Sequence, residues 1–148
     1  MVSRVADEEV LYRLVKHQRG YIKLENGEWR PSSQAFTDPK YRISVDRAEL
    51  CNHDPAHTLR GMAGFVCSVG AGKARGIKDV VQRTPKGEII RQHSVCVDHA
   101  PEPENYAHAE VYAHPTVANK NVFRKLQERL ALLAQWEEGF DPSGAENS

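Results

Sequence analysis

The longest helical pattern of the chain lies near its C-terminal end and is the main constraint on the fold. Over residues 115–139, apolar side chains recur at the spacing of one helix face, and Gly139 follows as a stop signal. Such a helix has to bury its apolar face against another layer. The pattern therefore predicts a long amphipathic C-terminal helix that docks on its own domain or lies in the groove of a partner. The residues of this face are Val122, Leu126, Leu130, Leu133 and Trp136.

A second apolar stripe follows the acidic start of the chain and predicts an N-terminal helix. Asp7 can cap its first turn, Glu8 and Glu9 lie at the positive end of the macrodipole, and Gly20 suits the stop. The apolar stripe consists of Val10, Leu11, Leu14 and Val15.

Short alternating segments fill the region between the two helical patterns. Asn26-Gly27 is a strong hairpin signal, and the turn at residues 84–87 joins two further strands within residues 77–101. A short helix with Asp54 as N-cap is expected before residue 62. The other expected strands lie at 42–46, 64–70 and 106–115. We predict an α+β fold, with a small, mostly antiparallel sheet, an N-terminal helix and the long C-terminal amphipathic helix.

Length and composition favour one cytoplasmic domain. The chain has 148 residues, which suits a single domain over residues 1–138 with a flexible polar tail over 139–148. No apolar run approaches the roughly 20 residues of a membrane span, and the first residues lack the apolar region of a signal peptide. Three cysteines are an odd number, which favours a reducing compartment over a disulfide framework. We expect a cytoplasmic location and no membrane contact.

The segment from Trp29 to Phe36, WRPSSQAF, supports a structural and a functional interpretation. Pro31 fixes a turn dihedral and a serine hydroxyl can cap the turn that follows. No nucleophile-elbow motif surrounds Ser32 or Ser33, so a catalytic serine is disfavoured. Arg30 is the most plausible functional residue here, as a clamp for a carboxylate or another anion.

Two motifs suggest a metal or a nucleotide, but neither has the right spacing. Four residues, Cys51, His53, Cys96 and His99, could supply a tetrahedral zinc site only if the chain bent sharply, and His93 and Cys96 lie an odd number of positions apart. The glycine-rich segment at residues 70–76 lacks the glycine and the Ser or Thr of a phosphate loop. We therefore predict no metal site and no cofactor.

Nucleic-acid binding is a third, weaker possibility. The basic and acidic side chains balance at 20 each, whereas a dedicated binder needs an excess of positive charge. A basic stripe could still touch RNA or DNA, but no aromatic residues for base stacking lie among its members. The stripe consists of Lys120, Arg124, Lys125 and Arg129.

Three segments together resemble a family of small uncharacterised bacterial proteins. They are RPSSQAF at residues 30–36, ISVDRAEL at 43–50 and PEPENYAHAEV at 101–111, and the resemblance spans residues 10–112. Tyr106 departs from the pattern, in which a proline often follows the asparagine. The resemblance carries no activity. It implies an accessory role in bacterial defence, for example in a CRISPR-associated operon.

A site shared by that family would join the polar residues of the three segments. His108 shares a strand face with Glu110 and could act as acid or base. The candidate residues are Arg30, Ser32, Ser33, Asp46, Asn105 and His108. Such a cluster could equally be a buried hydrogen-bond network that fixes the fold.

The sequence leaves two main functional hypotheses. The first is a non-enzymatic accessory or adaptor protein that binds a protein partner through the C-terminal helix. The second is a small enzyme or ligand-binding domain that acts on an anionic substrate through Arg30 and His108.

Overall fold

The computed structural model describes residues 4–142, which form a mixed fold of strands and short helices around one long helix. The helices are α1 (Ala56–Leu59), α2 (Ala71–Arg75) and α3 (Lys120–Leu133), and 3-10 turns cover Ser33–Phe36 and Ala48–Cys51. The strands are β1 (Val10–Lys16), β2 (Ile22–Glu25), β3 (Glu28–Pro31), β4 (Arg42–Arg47), β5 (Gly64–Gly70), β6 (Val81–Arg83), β7 (Ile89–Gln92), β8 (Ser94–His99), β9 (His108–His114) and β10 (Gln135–Trp136). The predicted α+β class and the long C-terminal helix are confirmed.

One antiparallel sheet organises the molecule, with the strand order β10-β5-β1-β4-β9-β8. Two separate hairpins, β2–β3 and β6–β7, accompany it. Asn26 and Gly27 have φ values of 53° and 79°, the left-handed conformation that a two-residue hairpin turn requires. Both predicted hairpin turns are confirmed, and β8 follows β7 as a further strand.

The predicted N-terminal helix is wrong, because residues 10–16 form the strand β1. The segment contains β-branched and aromatic residues, and in the extended chain Leu11 and Val15 point to one face of the sheet. As a strand it pairs with β4 and β5, so its side chains are buried on both faces. Glu9 does not serve a helix dipole. It is buried and bonds to Arg47.

The C-terminal helix α3 begins at Asn119, whose side-chain oxygen accepts the Val122 N–H at 3.1 Å. It ends at Leu133, earlier than predicted, because the chain extends again to pair with β5. Trp136 therefore lies on β10 and not on the helix. Leu126 and Leu130 are fully buried in the core. Of the two alternatives for this helix face, the structure shows the intramolecular one.

The two faces of the sheet are covered unequally. The core face, which carries Leu11 and Val15, packs against α3, α2 and the 3-10 turn Ser33–Phe36. The opposite face, here called the open face, carries only a smaller hydrophobic cluster. This cluster includes Tyr12 and Val66, and Phe140 packs against it. The Phe140 carbonyl also accepts the Val66 N–H at 3.1 Å. Packed chain thus continues past the predicted boundary at residue 138, and residues 143–148 of the expected tail lie outside the described residues.

Candidate functional site

The central strands β1 and β4 stay paired over only a short distance. Leu11 faces Arg47 and Tyr12 faces Asp46, but no further pairs join the two strands. Beyond Tyr12, β1 continues along β5, while β4 continues along β9. This separation, here called the split, leaves backbone carbonyls of β4 without a partner in β1 and opens space on both faces of the sheet.

Arg13 fills the split with its guanidinium group. Its Nη1 donates to the Ser44 carbonyl at 2.7 Å, so the side chain replaces the missing strand pairing. Its Nε donates to the Ala35 carbonyl at 2.9 Å and its Nη2 to the Thr37 carbonyl at 3.1 Å. Burial lowers the pKa of Arg13 from its ordinary value. The arginine thus holds β1, β4 and the 3-10 turn together with a cationic group.

A cavity of about 150 Å³, here called the cleft, opens beside Arg13 on the open face of the sheet. Its walls come from β1, from β4, from the start of β9 and from the segment around α1. The lining residues are Tyr12, Arg13, Leu14, Ser44, Val45, Asp46, Thr58, Arg60, Met62 and His108.

Asp46 is the buried acid of the cleft, with 3% of its surface exposed. Its Oδ1 accepts from the Asn105 amide at 2.7 Å, and its Oδ2 accepts from the Thr58 hydroxyl at 2.8 Å. The Arg60 guanidinium lies 3.5 Å from Oδ1 and remains half exposed. The carboxylate is therefore held by donors on both oxygens, which fixes its orientation.

Two local motifs position the hydrogen-bond partners of Asp46. The Asp54 carboxylate accepts the Ala56 N–H at 3.0 Å and starts α1, the helix that carries His57 and Thr58. In the loop before β9, the side-chain oxygen of Asn105 accepts the Ala107 N–H at 3.3 Å, which fixes the turn. The side-chain oxygen Oδ1 of Asn105 also lies 3.0 Å from His57 Nε2. An amide oxygen only accepts, so His57 Nε2 is the donor. The chain His57–Asn105–Asp46 is a continuous hydrogen-bond network.

His108 is 4% exposed and lies directly across from Asp46 in the pairing of β4 with β9. Its Nδ1 lies 2.6 Å from the Ala100 carbonyl oxygen. A carbonyl only accepts, so Nδ1 carries the hydrogen and Nε2 is left with a lone pair when the ring is neutral. Glu102 Oε1 lies 3.9 Å from Nε2. The ring is thus fixed in the tautomer that an acid–base histidine requires.

The structure divides the six candidate residues into two groups. Asp46, Asn105 and His108 meet at the cleft, as described above. Arg30 instead lies at the C-terminal end of α3, where its Nη2 donates to the carbonyls of Ala131 and Ala134, both at 2.9 Å. This contact satisfies carbonyls that the end of the helix leaves open.

The serines of WRPSSQAF belong to the same structural group as Arg30. Ser32 caps the 3-10 turn by accepting the Gln34 N–H at 3.2 Å, and its hydroxyl donates to the Gly20 carbonyl. The Ser33 carbonyl accepts from the Gln127 amide of α3 at 3.2 Å. The segment is a turn that ties β3 to α3, in line with its structural interpretation.

The five apolar residues proposed for partner binding belong to the core of this domain. Val122, Leu126 and Leu130 are buried, and Leu133 and Trp136 pack against the same cluster. This face therefore packs within the domain, which is one of the two alternatives that the sequence left open.

The four residues considered for zinc do not converge. Cys96 lies on the open face of β8, whereas His99 lies on the core face with Val95 and Val97. Within residues 4–142, no group of three or more His, Cys, Asp or Glu side chains is arranged to hold a metal ion. Burial also raises the pKa of the Cys51 thiol to about 11.

Sequence reasoning missed Arg13, His57, Thr58 and Arg60. Arg13 has a signal in the sequence, because it occupies a core-facing position between Leu11 and Val15 once the segment is interpreted as a strand. The helical interpretation placed it on a solvated face. The other three lie on α1 or just after it, in a segment without a functional motif, and only the approach of α1 to β4 brings them to the cleft.

No protein-family model, curated protein or solved structure matches this chain significantly. In the part of the chain from residue 4 to residue 142, none of the helices has the length and apolar character needed to cross a membrane.

Proposed function

We propose that this protein is a small domain that binds an anionic ligand in the cleft, with His108 placed to exchange a proton with it. The observation that carries the proposal is the position of His108 at the wall of a cavity, with Nδ1 held by the Ala100 carbonyl. With Nδ1 held by the Ala100 carbonyl, Nε2 is the ring nitrogen left for a ligand, and the Glu102 carboxylate lies 3.9 Å from it. This proposal keeps His108 in the role that the sequence suggested and replaces Arg30 by Arg60.

The charges around the cleft favour an anion over a cation. Arg13 and Arg60 both line the cavity, and the carboxylate of Asp46 is already engaged by Asn105 and Thr58. Arg60 is the more accessible of the two arginines, with half of its side chain exposed. Its guanidinium can turn from Asp46 toward a carboxylate or phosphate oxygen, for which it offers two parallel donors.

A cavity of about 150 Å³ has room for a small group only. The ligand class that fits is therefore a short carboxylate, or the anionic end of a larger molecule that extends past Arg60 into solvent. His108 would contact the part of the ligand that lies deepest, next to Asp46, where it can accept or donate one proton.

Loss of the Arg60 charge is expected to weaken binding of the ligand at least tenfold. A hydrogen bond to a charged group contributes about 1.5–3 kcal/mol, and about 1.4 kcal/mol corresponds to a factor of ten. The test is an NMR titration of the protein with a panel of small carboxylates and phosphate esters, followed by measurement of the dissociation constant for each hit in Arg60→Gln. Arg91→Gln, on the exposed strand β7, is the matched control.

Binding of a hit that shifts the resonances of His108 and Ser44 supports the proposal when Arg60→Gln weakens it and Arg91→Gln does not. A hit that shifts the resonances of His108 and Ser44 but binds equally well to the wild type and to Arg60→Gln contradicts it. A panel without any hit near the cleft contradicts the choice of an anionic ligand.

An accessory role with a protein partner is a second proposal, supported by the β6–β7 hairpin. Ile89 and Ile90 are 55% and 59% exposed on β7, although isoleucine is usually buried. Because neighbouring residues on a strand point to opposite faces, each face of the hairpin presents an apolar side chain. The resemblance noted for the sequence suggests that such a partner would belong to a bacterial defence system.

The partner proposal is tested in the hairpin. The test isolates a complex from cells and measures its stoichiometry by mass photometry. The complex is expected to be lost in the variant Ile89→Lys/Ile90→Lys and to persist in Arg60→Gln. A complex that persists in the hairpin variant shows that the hairpin is not the docking surface.

A further inference from the structure

A second cavity, of about 300 Å³, is also lined by Arg13. Its walls are the end of β1, Tyr21 and the segment of the 3-10 turn that closes WRPSSQAF. The lining residues are Arg13, Leu14, Lys16, Tyr21, Gln34, Ala35, Thr37 and Pro39. It shares Arg13 and Leu14 with the cleft but none of the residues around Asp46.

The polar side chains of this second cavity are cations or neutral hydrogen-bonding groups. Arg13 and Lys16 carry positive charge, and no aspartate or glutamate is among the lining residues. Tyr21, Gln34 and Thr37 add a phenol, an amide and a hydroxyl, each of which can donate a hydrogen bond. A cavity with two cations, three neutral donors and no lining carboxylate is suited to a group with several acceptor oxygens.

The hydrogen bonding of Arg13 is the main support for a ligand in this cavity. Its guanidinium bonds to three backbone carbonyls, and within residues 4–142 none of its contacts is an ion pair with a carboxylate. Among aspartates and glutamates, Asp38 has the largest electrostatic effect on the pKa of Arg13. One carboxylate oxygen of Asp38 accepts the backbone N–H groups of Lys40 and Arg42 in the turn that Asp38 begins. Arg13 is half-buried, and its three carbonyl partners carry no net charge, so the guanidinium can still attract an anion.

A guanidinium group has five N–H donors, and the three hydrogen bonds of Arg13 leave Nη hydrogens for another acceptor. An oxyanion in the second cavity would accept them. Lys16 also lines this cavity and is exposed, with its ammonium 5.8 Å from the centre of the Tyr21 ring, so it can contact the same anion from the solvent side.

We infer that the second cavity is a binding site for a phosphate group, either inorganic phosphate or a small phosphomonoester. Phosphate has acceptor oxygens in a tetrahedral arrangement, which suits donors that approach from β1, from Tyr21 and from the 3-10 turn. The volume leaves room for a short organic substituent beyond the phosphate itself. This site does not depend on the ligand proposed for the cleft.

The probes that test the inference are inorganic phosphate and glycerol phosphate, titrated into the full-length protein at constant ionic strength. Chloride at the same ionic strength serves as the reference. Amide resonances of Lys16, Gln34 and Thr37 are expected to shift with saturation, and binding of glycerol phosphate but not of inorganic phosphate identifies the esterified form as the ligand. No saturable shift with either phosphate overturns the inference.

Three variants locate the site. Lys16→Ala and Gln34→Ala are each expected to weaken phosphate binding at least fivefold, whereas Lys23→Ala, a lysine paired with Glu25 outside the cavity, leaves it within twofold. Arg60→Gln changes the cleft and is expected to leave phosphate binding within twofold as well. If Arg60→Gln weakens phosphate binding and Lys16→Ala does not, phosphate binds in the cleft. The inference is then wrong, and the proposed function gains support.

Discussion

Replacement of Glu9 by glutamine is expected to lower the free energy of unfolding by about 3–5 kcal/mol at pH 7. Glu9 and Arg47 are 4% and 1% exposed, and Arg47 Nε and Nη2 each donate to a different carboxylate oxygen at 2.8 Å. Removing the carboxylate charge leaves Arg47 buried beside a neutral amide. The measurement is chemical denaturation followed by circular dichroism.

The neighbouring acid provides the control for this prediction. Glu8 is exposed, so Glu8→Gln is expected to change the unfolding free energy by less than about 0.5 kcal/mol. The double variant Glu9→Leu/Arg47→Met removes both buried charges and should be more stable than Glu9→Gln, in which the buried Arg47 charge has lost its carboxylate. Equal stability of Glu9→Gln and Glu8→Gln would show that the pair contributes little.

The Glu9–Arg47 pair also makes the free energy of unfolding depend on pH. Burial raises the pKa of Glu9, but the hydrogen bonds from Arg47 and from the Ala6 N–H and the positive charge of Arg47 outweigh it, so the pKa lies below its ordinary value of 4.5. A lowered folded-state pKa contributes stability above the unfolded-state value, and this contribution is lost as the pH falls through the folded-state value. We expect the wild type to lose stability below about pH 4.5, and Glu9→Gln to lose less over the same range.

Truncation of Leu126 to alanine is expected to cost about 2–5 kcal/mol of unfolding free energy, because its side chain is fully buried between α3 and the sheet. Leu132, on the same helix, is 64% exposed, so Leu132→Ala should cost less than about 0.5 kcal/mol. Denaturant titration of both variants measures the difference. A small effect of Leu126→Ala would mean that the apolar face of α3 does not stabilise this domain and is available to a partner.

The local signals of the sequence predicted the turns and the last helix because neighbouring residues determine them. Asn26 and Gly27 have the left-handed backbone that a two-residue hairpin turn requires, so the turn follows from these two residues. Three of the predicted strands lie within a residue or two of the observed β4, β5 and β9. The C-terminal helix has enough periodic apolar residues to be recognised, although its end is set by the pairing of β10 with β5.

The strand β1 could not be distinguished from a helix by periodicity. Four apolar residues at positions 10, 11, 14 and 15 form a stripe on a helix, but in a strand they divide between the two faces of a sheet. The second arrangement is stable here because both faces are covered, by the main core and by the cluster around Tyr12. Only tertiary packing decides between the two.

By itself, the sequence determined the α+β class, the hairpin turns and the amphipathic C-terminal helix, since these depend on contacts between residues close in the chain. The tertiary structure decided that Asp46, Asn105 and His108 meet while Arg30 supports the end of α3. It also decided the split between β1 and β4 and the placement of Arg13 within it. These features depend on which strands pair and where the pairing stops, and side chains far apart in the sequence come together only through that pairing.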